Sequence, residues 1–315
     1  MTMGRPSLQR RIGGAITALA TPFRDGTLDT VNLTAHVEWQ LLSGVDGLLA
    51  CSLTGEGPTL TDAERVRIIE TCVELSEART PVIVATGTND TATTVEETLQ
   101  AQRLGAGAAL VTVPYYSKPT QKGVLHHFEQ VAARTDLPLI VHNQPSHTSI
   151  DLAPTTIARL AEIPGIIGIA DGSGDITRLD LCRPLLPEWF GFCASSDTSA
   201  LAFTIAGGHG CFSNAANIVP RLFRSMQHSA ACGHLAAARS IDDRLRPLFN
   251  ALRQESEPAT VKHALSLMRD FEPDVRLPLV SVESQTAAAI QAAVAPLQLD
   301  GSGRLASRHA LRLGL

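Results

Sequence analysis

Gly165-Ile166-Ile167-Gly168-Ile169-Ala170-Asp171-Gly172-Ser173-Gly174-Asp175 reads as a buried strand that stops at a glycine-rich turn and feeds a helix. Strand, turn and helix in that order make the repeating unit of a parallel α/β fold. The unit recurs along the chain. Short apolar runs fall at residues 15–20, 47–51, 81–86, 108–113, 137–142, 166–170, 191–195 and 210–213. Amphipathic stretches of helical length separate most of them. Thr61-Asp62-Ala63-Glu64 opens one, as an N-cap and acidic first turn ahead of Val66, Ile69, Val73 and Leu75. Another runs from Thr120 to Thr135, with Val124, Phe128 and Val131 on one face. Eight strand runs joined by right-handed crossovers predict a (β/α)₈ TIM barrel. An open doubly wound sheet is the alternative. It is weakened because no G-x-G-x-x-G follows a first strand.

The chain has 315 residues, enough for one large barrel or two ordinary domains. Apolar residues make up 44% and charged residues 18%, which suits a globular core, and the net charge of −5 counts against nucleic acid as a partner. No apolar run reaches membrane-spanning length, and the N-terminus lacks the apolar centre of a signal peptide. The six cysteines (51, 72, 182, 193, 211 and 232) form no C-x-x-C and no Cys/His metal spacing. Reduced thiols in a cytoplasmic protein, with no metal, are therefore expected. Strand signals stop near residue 219. Residues 222–252, 259–268 and 284–293 then read as alanine- and leucine-rich helices. The expected division is a barrel over 1–218, a C-terminal helical domain over 219–299 and a flexible tail over 300–315.

In such a barrel, reacting groups project from the C-terminal ends of the strands. The second strand ends in Ser52-Leu53-Thr54-Gly55-Glu56, whose hydroxyls, glycine and backbone N–H groups suit a small carboxylate. An ordinary βα turn reads the same way. The fourth strand ends in Pro114-Tyr115-Tyr116, the only two tyrosines of the chain. Adjacent side chains on extended backbone point opposite ways, so one can enter the site while the other packs. The fifth strand ends in His142-Asn143-Gln144-Pro145-Ser146-His147. His142 is either a general acid/base, titrating near pH 6–7, or a hydrogen-bonded structural histidine. His126-His127 reads as a solvated pair on a helix, and His209 as a turn residue. The sixth strand ends at Ala170, in a setting that suggests lysine. The chain has three lysines, Lys118, Lys122 and Lys262, none near an equivalent place.

Five segments occur in a familiar order and spacing: 52–56, 114–116, 142–145, 166–171 and 207–210. Together they resemble the dihydrodipicolinate synthase / N-acetylneuraminate lyase superfamily, from about Gly13 to Leu297. The resemblance implies a barrel with a C-terminal helical domain, assembled as a homotetramer (a dimer of dimers). It implies a Schiff base between a sixth-strand lysine and a 2-oxo acid such as pyruvate, with no metal or organic cofactor. Thr54 and Gly55 resemble the carboxylate cradle, with Ser52 beside them. Tyr116 resembles a relay tyrosine that crosses to a neighbouring subunit. The segment 207–210 resembles the pocket lining at the eighth strand, giving Gly210 and Phe212 as substrate-binding candidates alongside Asn143 and His147.

Four departures accompany the match. Ala170 stands where the Schiff-base lysine belongs, and His142 where a proton-shuttling tyrosine does. Leu53 replaces a relay hydroxyl. His147 replaces an arginine that holds a second carboxylate. The last three imply a paralogue with another substrate. Ala170 leaves three readings. It is an engineered lysine-to-alanine replacement that inactivates a lyase, or the mark of a natural lysine-free homologue using His142 on an imine or 2-oxo acid, or the mark of a non-catalytic 2-oxo acid binder.

Overall fold

Eight parallel strands close into a barrel: β1 (Gly14–Ala18), β2 (Gly47–Ala50), β3 (Val82–Ala85), β4 (Ala108–Thr112), β5 (Leu139–Asn143), β6 (Ile166–Asp171), β7 (Gly191–Ala194) and β8 (Gly210–Ser213). The computed structural model describes residues 12–298. β1 pairs with both β2 and β8, which closes the ring. All eight expected runs are strands, with small shifts at their ends where ladders fray. They are apolar throughout because both faces are covered. The side-chain alternation sorts them cleanly. Ile16, Leu49, Ile83, Leu110, Ile140, Ala170, Cys193 and Phe212 fill the barrel interior. Their neighbours Leu48, Val84, Ala109, Val141, Ile169 and Cys211 pack outward under the helices.

The outer ring is α1 (Thr30–Leu42), α2 (Asp62–Ser76), α3 (Thr91–Arg103), α4 (Gln121–Ala132), α5 (Pro154–Ala161), α6 (Thr177–Cys182), α7 (Ala200–Ile205) and α8 (Pro220–Ala231). α2 opens with the expected capping box. The Thr61 hydroxyl accepts from Glu64 N–H, and the Glu64 carboxylate accepts from Thr61 N–H. The stretch expected as helix over 222–252 is two helices, α8 and α9 (Leu235–Leu252), separated at Gly233. α10 (Glu257–Ser266) and α11 (Ser284–Gln298) complete the described chain. The division expected at residue 218 falls just ahead of α8, which packs on β1 and against α9. The tail expected over 300–315 lies outside the described residues. A two-residue hairpin, Phe23–Arg24 with Thr27–Leu28, follows β1 and had no signal in the sequence reading. Among the described residues no helix is long and apolar enough to cross a membrane.

Candidate active site at the barrel mouth

A cavity of about 720 Å³ opens at the C-terminal ends of the strands. Ala18, Leu49, Leu110 and Phe212 supply its apolar part, from the inward positions of β1, β2, β4 and β8. Polar groups ring it: Ser52, Thr54, Thr112, Tyr115, His142, His147, Ser195, Asn214 and Glu257.

The loop after β2 is wound tightly. Cys51 and Glu56 are left-handed, and a Cβ on Gly57 would stand 2.2 Å from the Cys51 carbonyl oxygen. The N–H groups of Gly55 and Gly57 both donate to the Ser52 carbonyl, at 3.1 and 2.9 Å. Gly55 is therefore spent within the loop. Its carbonyl accepts from the Thr21 hydroxyl at 2.7 Å, and it lies off the cavity lining. Ser52 and Thr54 do line it. Ser52 is 8% exposed, and its hydroxyl has no partner in the protein. The Thr54 hydroxyl donates to Asn214 Oδ1 at 2.7 Å and lies 3.4 Å from Glu257 Oε2. Asp197 fixes Asn214 from behind. It accepts from the Ser213 hydroxyl and from the N–H groups of Asn214 and Ala215. Burial pushes the Asp197 carboxyl up to about 6, against the pull of those hydrogen bonds.

Glu56 anchors the same loop to the terminal helices. One carboxylate oxygen accepts from Lys262 Nζ at 2.5 Å, the other from Arg276 N–H at 2.8 Å. Lys262 also donates to the Asp274 carbonyl and sits 4.0 Å above the Phe23 ring. Burial lowers its pKa to about 8, and the Glu56 charge opposes the fall. Lys118 and Lys122 are exposed. No lysine faces the barrel interior.

His142 lies across the mouth. Its Nδ1 is 3.0 Å from the Thr112 hydroxyl and its Nε2 is 3.1 Å from the Ser195 hydroxyl. Thr112 ends β4, while Ser195 follows β7. The imidazole therefore spans the strand between, β6, at the level of Ala170, its partner in register. Ala170 is fully buried and contributes nothing to the cavity lining. Burial, helped by the nearby His147, lowers the His142 pKa to about 4. The ring is thus neutral near pH 7. The titration expected near pH 6–7 moves down because enclosure among strands disfavours the charged form. The nearby thiols supply no substitute nucleophile. Burial holds Cys51 up at about 11 and Cys193, beside Ala170, at about 12.

Besides Gly55 and Ala170, three more expected site residues lie off the lining. Asn143 is fully buried on the outward face of β5, donating to Asp151 and Asp171 at 2.9 Å each. Arg178 joins the same network through Asp151. One step along a strand reverses the face, so His142 and Asn143 cannot both enter the barrel. Gly210 begins β8 and therefore sits at the opposite end of the barrel from the mouth, with the whole 207–210 segment. A Cβ there would meet Gly14 N at 2.2 Å, so its role is the close approach of β1 and β8. Tyr116 is 89% exposed with φ +67°, and Tyr115 is the tyrosine that lines this cavity. Phe212 and His147 lie on the lining. His127, expected to be solvated, is 5% exposed and bonded to the Thr91 hydroxyl at 3.0 Å, while His126 is exposed. His209 Nδ1 accepts from Phe192 N–H at 2.9 Å.

Five residues at the cavity, Thr112, Ser195, Arg65, Glu97 and Glu257, were not singled out in the sequence. Thr112 and Ser195 are each two residues beyond an inward residue, Leu110 and Cys193, so strand parity marks them. Arg65 and Glu97 pair across α2 and α3, and Arg65 also donates to the Ala85 carbonyl at 3.1 Å. Glu257 had no local signal, since it enters the mouth from the first turn of α10.

A sequence profile of the dihydrodipicolinate synthetase family matches residues 11–296. The 4-hydroxy-tetrahydrodipicolinate synthase of Sphingopyxis alaskensis is 40% identical over 283 residues, covering 90% of this chain and 97% of that one. The solved dihydrodipicolinate synthase of Thermotoga maritima superposes with a TM-score of 0.89 at 34% identity, over 92% of this chain and 100% of that one. The Acinetobacter baumannii enzyme, solved with pyruvate, gives 0.86 at 35% identity, over 90% of this chain and 98% of that one. The closed barrel, the terminal helices and these matches along nearly the whole described length place the chain in the dihydrodipicolinate synthetase family, whose relatives are lyases.

Proposed function

We propose that the chain binds a small 2-oxo acid such as pyruvate, or an imine derived from one, at the barrel mouth without capturing it covalently. Ala170 carries this reading. A class I aldolase-type lyase needs an amine whose lone pair attacks the substrate carbonyl, and the resulting imine serves as electron sink. A methyl group can do neither, so the family's Schiff-base step is closed to this chain as it stands. Binding is a separate matter. The unpartnered Ser52 hydroxyl and the N–H groups of Leu53 and Thr54 are free of the loop's internal hydrogen bonds, and they suit a carboxylate. His142, neutral and bridged to two hydroxyls, suits proton transfer. Tyr116, exposed in the single chain, suits a homo-oligomer in which it reaches a neighbouring subunit.

The arrangement over β6 favours an alanine that belongs to the site rather than one that replaced a lysine. His142 stands beside Ala170 in register, and its imidazole bridges the hydroxyls of Thr112 and Ser195 across β6. This supports a lysine-free homologue acting through acid/base chemistry. The codon at position 170 in the source genome separates the two readings.

Borohydride reduction with pyruvate tests the proposal. The chain as it stands should gain no adduct by intact mass, whereas Ala170→Lys should gain one. An adduct on Lys262 of the unaltered chain would remove the lysine-free premise. Calorimetry with pyruvate then tests binding without the covalent step.

A further inference from the structure

The cavity is rich in hydrogen-bond acceptors at one end. Glu257 faces it from the first turn of α10. The Thr54 hydroxyl donates its hydrogen bond to Asn214 Oδ1, the shorter of its two contacts, so toward a ligand it presents lone pairs. Charge points the same way. Among the described lining residues Arg65 is the one permanently cationic side chain, and Glu97 takes it. Asp62 and Glu257 are left without a cation of their own. A second carboxylate placed here would be repelled, whereas an N–H⁺ group would find a carboxylate and a hydroxyl oxygen side by side. Beside this end, Ser52 lies on the lining, 8% exposed, and its unpartnered hydroxyl is the kind of donor that a ligand carboxylate needs.

We infer that the site is built for a ligand carrying its own cationic nitrogen beside a carboxylate, a cyclic imine-2-carboxylate being the simplest, with Glu257 as the residue that selects it. The inference rests on the reading of the mouth as a carboxylate site. It also explains how a barrel of this family operates with alanine at 170. The electron sink that an enzyme amine would create on a 2-oxo acid is already present in a protonated C=N bond. The C3–H bond beside the iminium carbon breaks, its electron pair becomes the C2=C3 bond of an enamine, and the C=N π pair returns to nitrogen. The proton passes to the Ser195 oxygen as the Ser195 proton moves to His142 Nε2. The Nδ1 proton leaves through Thr112 to water. Reprotonation runs the same path backwards, so no oxidant or co-reactant is needed.

Calorimetry on the full chain at pH 7 with 1-pyrroline-2-carboxylate and with pyruvate tests the selection. The cyclic imine should bind at least tenfold more tightly. Glu257→Gln should erase that preference, weakening the imine at least tenfold and leaving pyruvate unchanged or tighter, in a protein whose melting profile matches the parent. Proton NMR in D₂O tests the chemistry. Deuterium should enter C3 of the imine faster than in buffer. His142→Phe should abolish the gain, and Ser195→Ala should slow exchange at least tenfold with an unchanged Kd. Equal affinity for the two ligands, or a Glu257→Gln variant that keeps the preference, overturns the selection. Imine binding without enhanced exchange overturns the proton path alone. Binding of neither ligand overturns the carboxylate-site reading itself, and this inference with it.

Discussion

Two regions of this barrel give opposite answers to one question, what becomes of a buried amine. Behind the loop after β2, Lys262 is fully enclosed and its pKa falls to about 8, a value that suits a nucleophilic lysine. On the inner face of β6, Ala170 is equally enclosed and has no amine at all. The first region shows that burial and a lowered pKa do not make a nucleophile. Lys262 spends its protons on Glu56 and the Asp274 carbonyl, against the Phe23 ring, with no approach for a carbonyl compound. The second shows a strand position at the level of the mouth with neither an amine nor a share of the cavity lining, beside His142 in register. Geometry decides before pKa does.

The largest test of the contrast is acid. Lys262 keeps its charge because Glu56 shares its pocket, whereas His36 and His127 are buried with hydroxyl or amide partners and burial lowers both to about 4. Their folded pKa values lie below the unfolded value of 6.5, so the unfolded chain takes protons that the folded chain refuses. Stability should be complete above pH 6.5 and should drain away as pH falls toward 4, by on the order of 3 kcal/mol for each histidine. Urea unfolding across that range would read the slope. A flat profile would mean the two rings are solvated.

Next comes the ion pair itself. Lys262→Met should cost about 3–5 kcal/mol, because it strands the Glu56 carboxylate in a dry pocket. Lys262→Met with Glu56→Leu should recover much of that loss. A double variant as unstable as the single one would shift the cost to the Arg276 and Asp274 contacts. A smaller effect belongs to the second region. In Ala170→Lys the new side chain stands beside His142 in register, and adding Ser195→Ala frees the imidazole to swing aside. Trapping of pyruvate should then speed by about tenfold, or ~1.4 kcal/mol in barrier. Equal rates in both variants would show that the imidazole does not obstruct position 170. Smallest is the cradle. Ser52→Ala should weaken carboxylate binding by about 1–2 kcal/mol, and Thr54→Val by less, since its proton already serves Asn214. Calorimetry that reverses this order would transfer the carboxylate to Thr54.

The sequence carried the barrel because each strand is apolar on both faces and each is bounded by turn residues, so the runs stand out one by one. It carried the mouth only in part. His142 and Phe212 sit at inward positions of their strands, where a run of residues and its parity suffice to place them, while Ser52 and Thr54 lie in the loop after β2, which the end of the run alone puts at the mouth. Asn143 and Gly210 failed on those same rules, one on parity and one on which end of the strand faces the mouth. Gly55 depended on loop hydrogen bonds that no spacing encodes. Glu257 depended on the docking of a helix 203 residues from the hydroxyl it approaches. A charge delivered by tertiary packing leaves no local pattern.

The Glu56–Lys262 pair joins residues 206 positions apart in sequence. During synthesis the N-terminal part of a chain emerges first, and its elements begin to pack as they appear. Here all eight strands leave the ribosome while Glu56 still lacks Lys262 and Glu257 has yet to reach the mouth. The nascent barrel therefore passes through a stage with a closed wall and an unfinished rim. A small molecule that needs that rim arrives too late to guide the assembly of the barrel that will hold it.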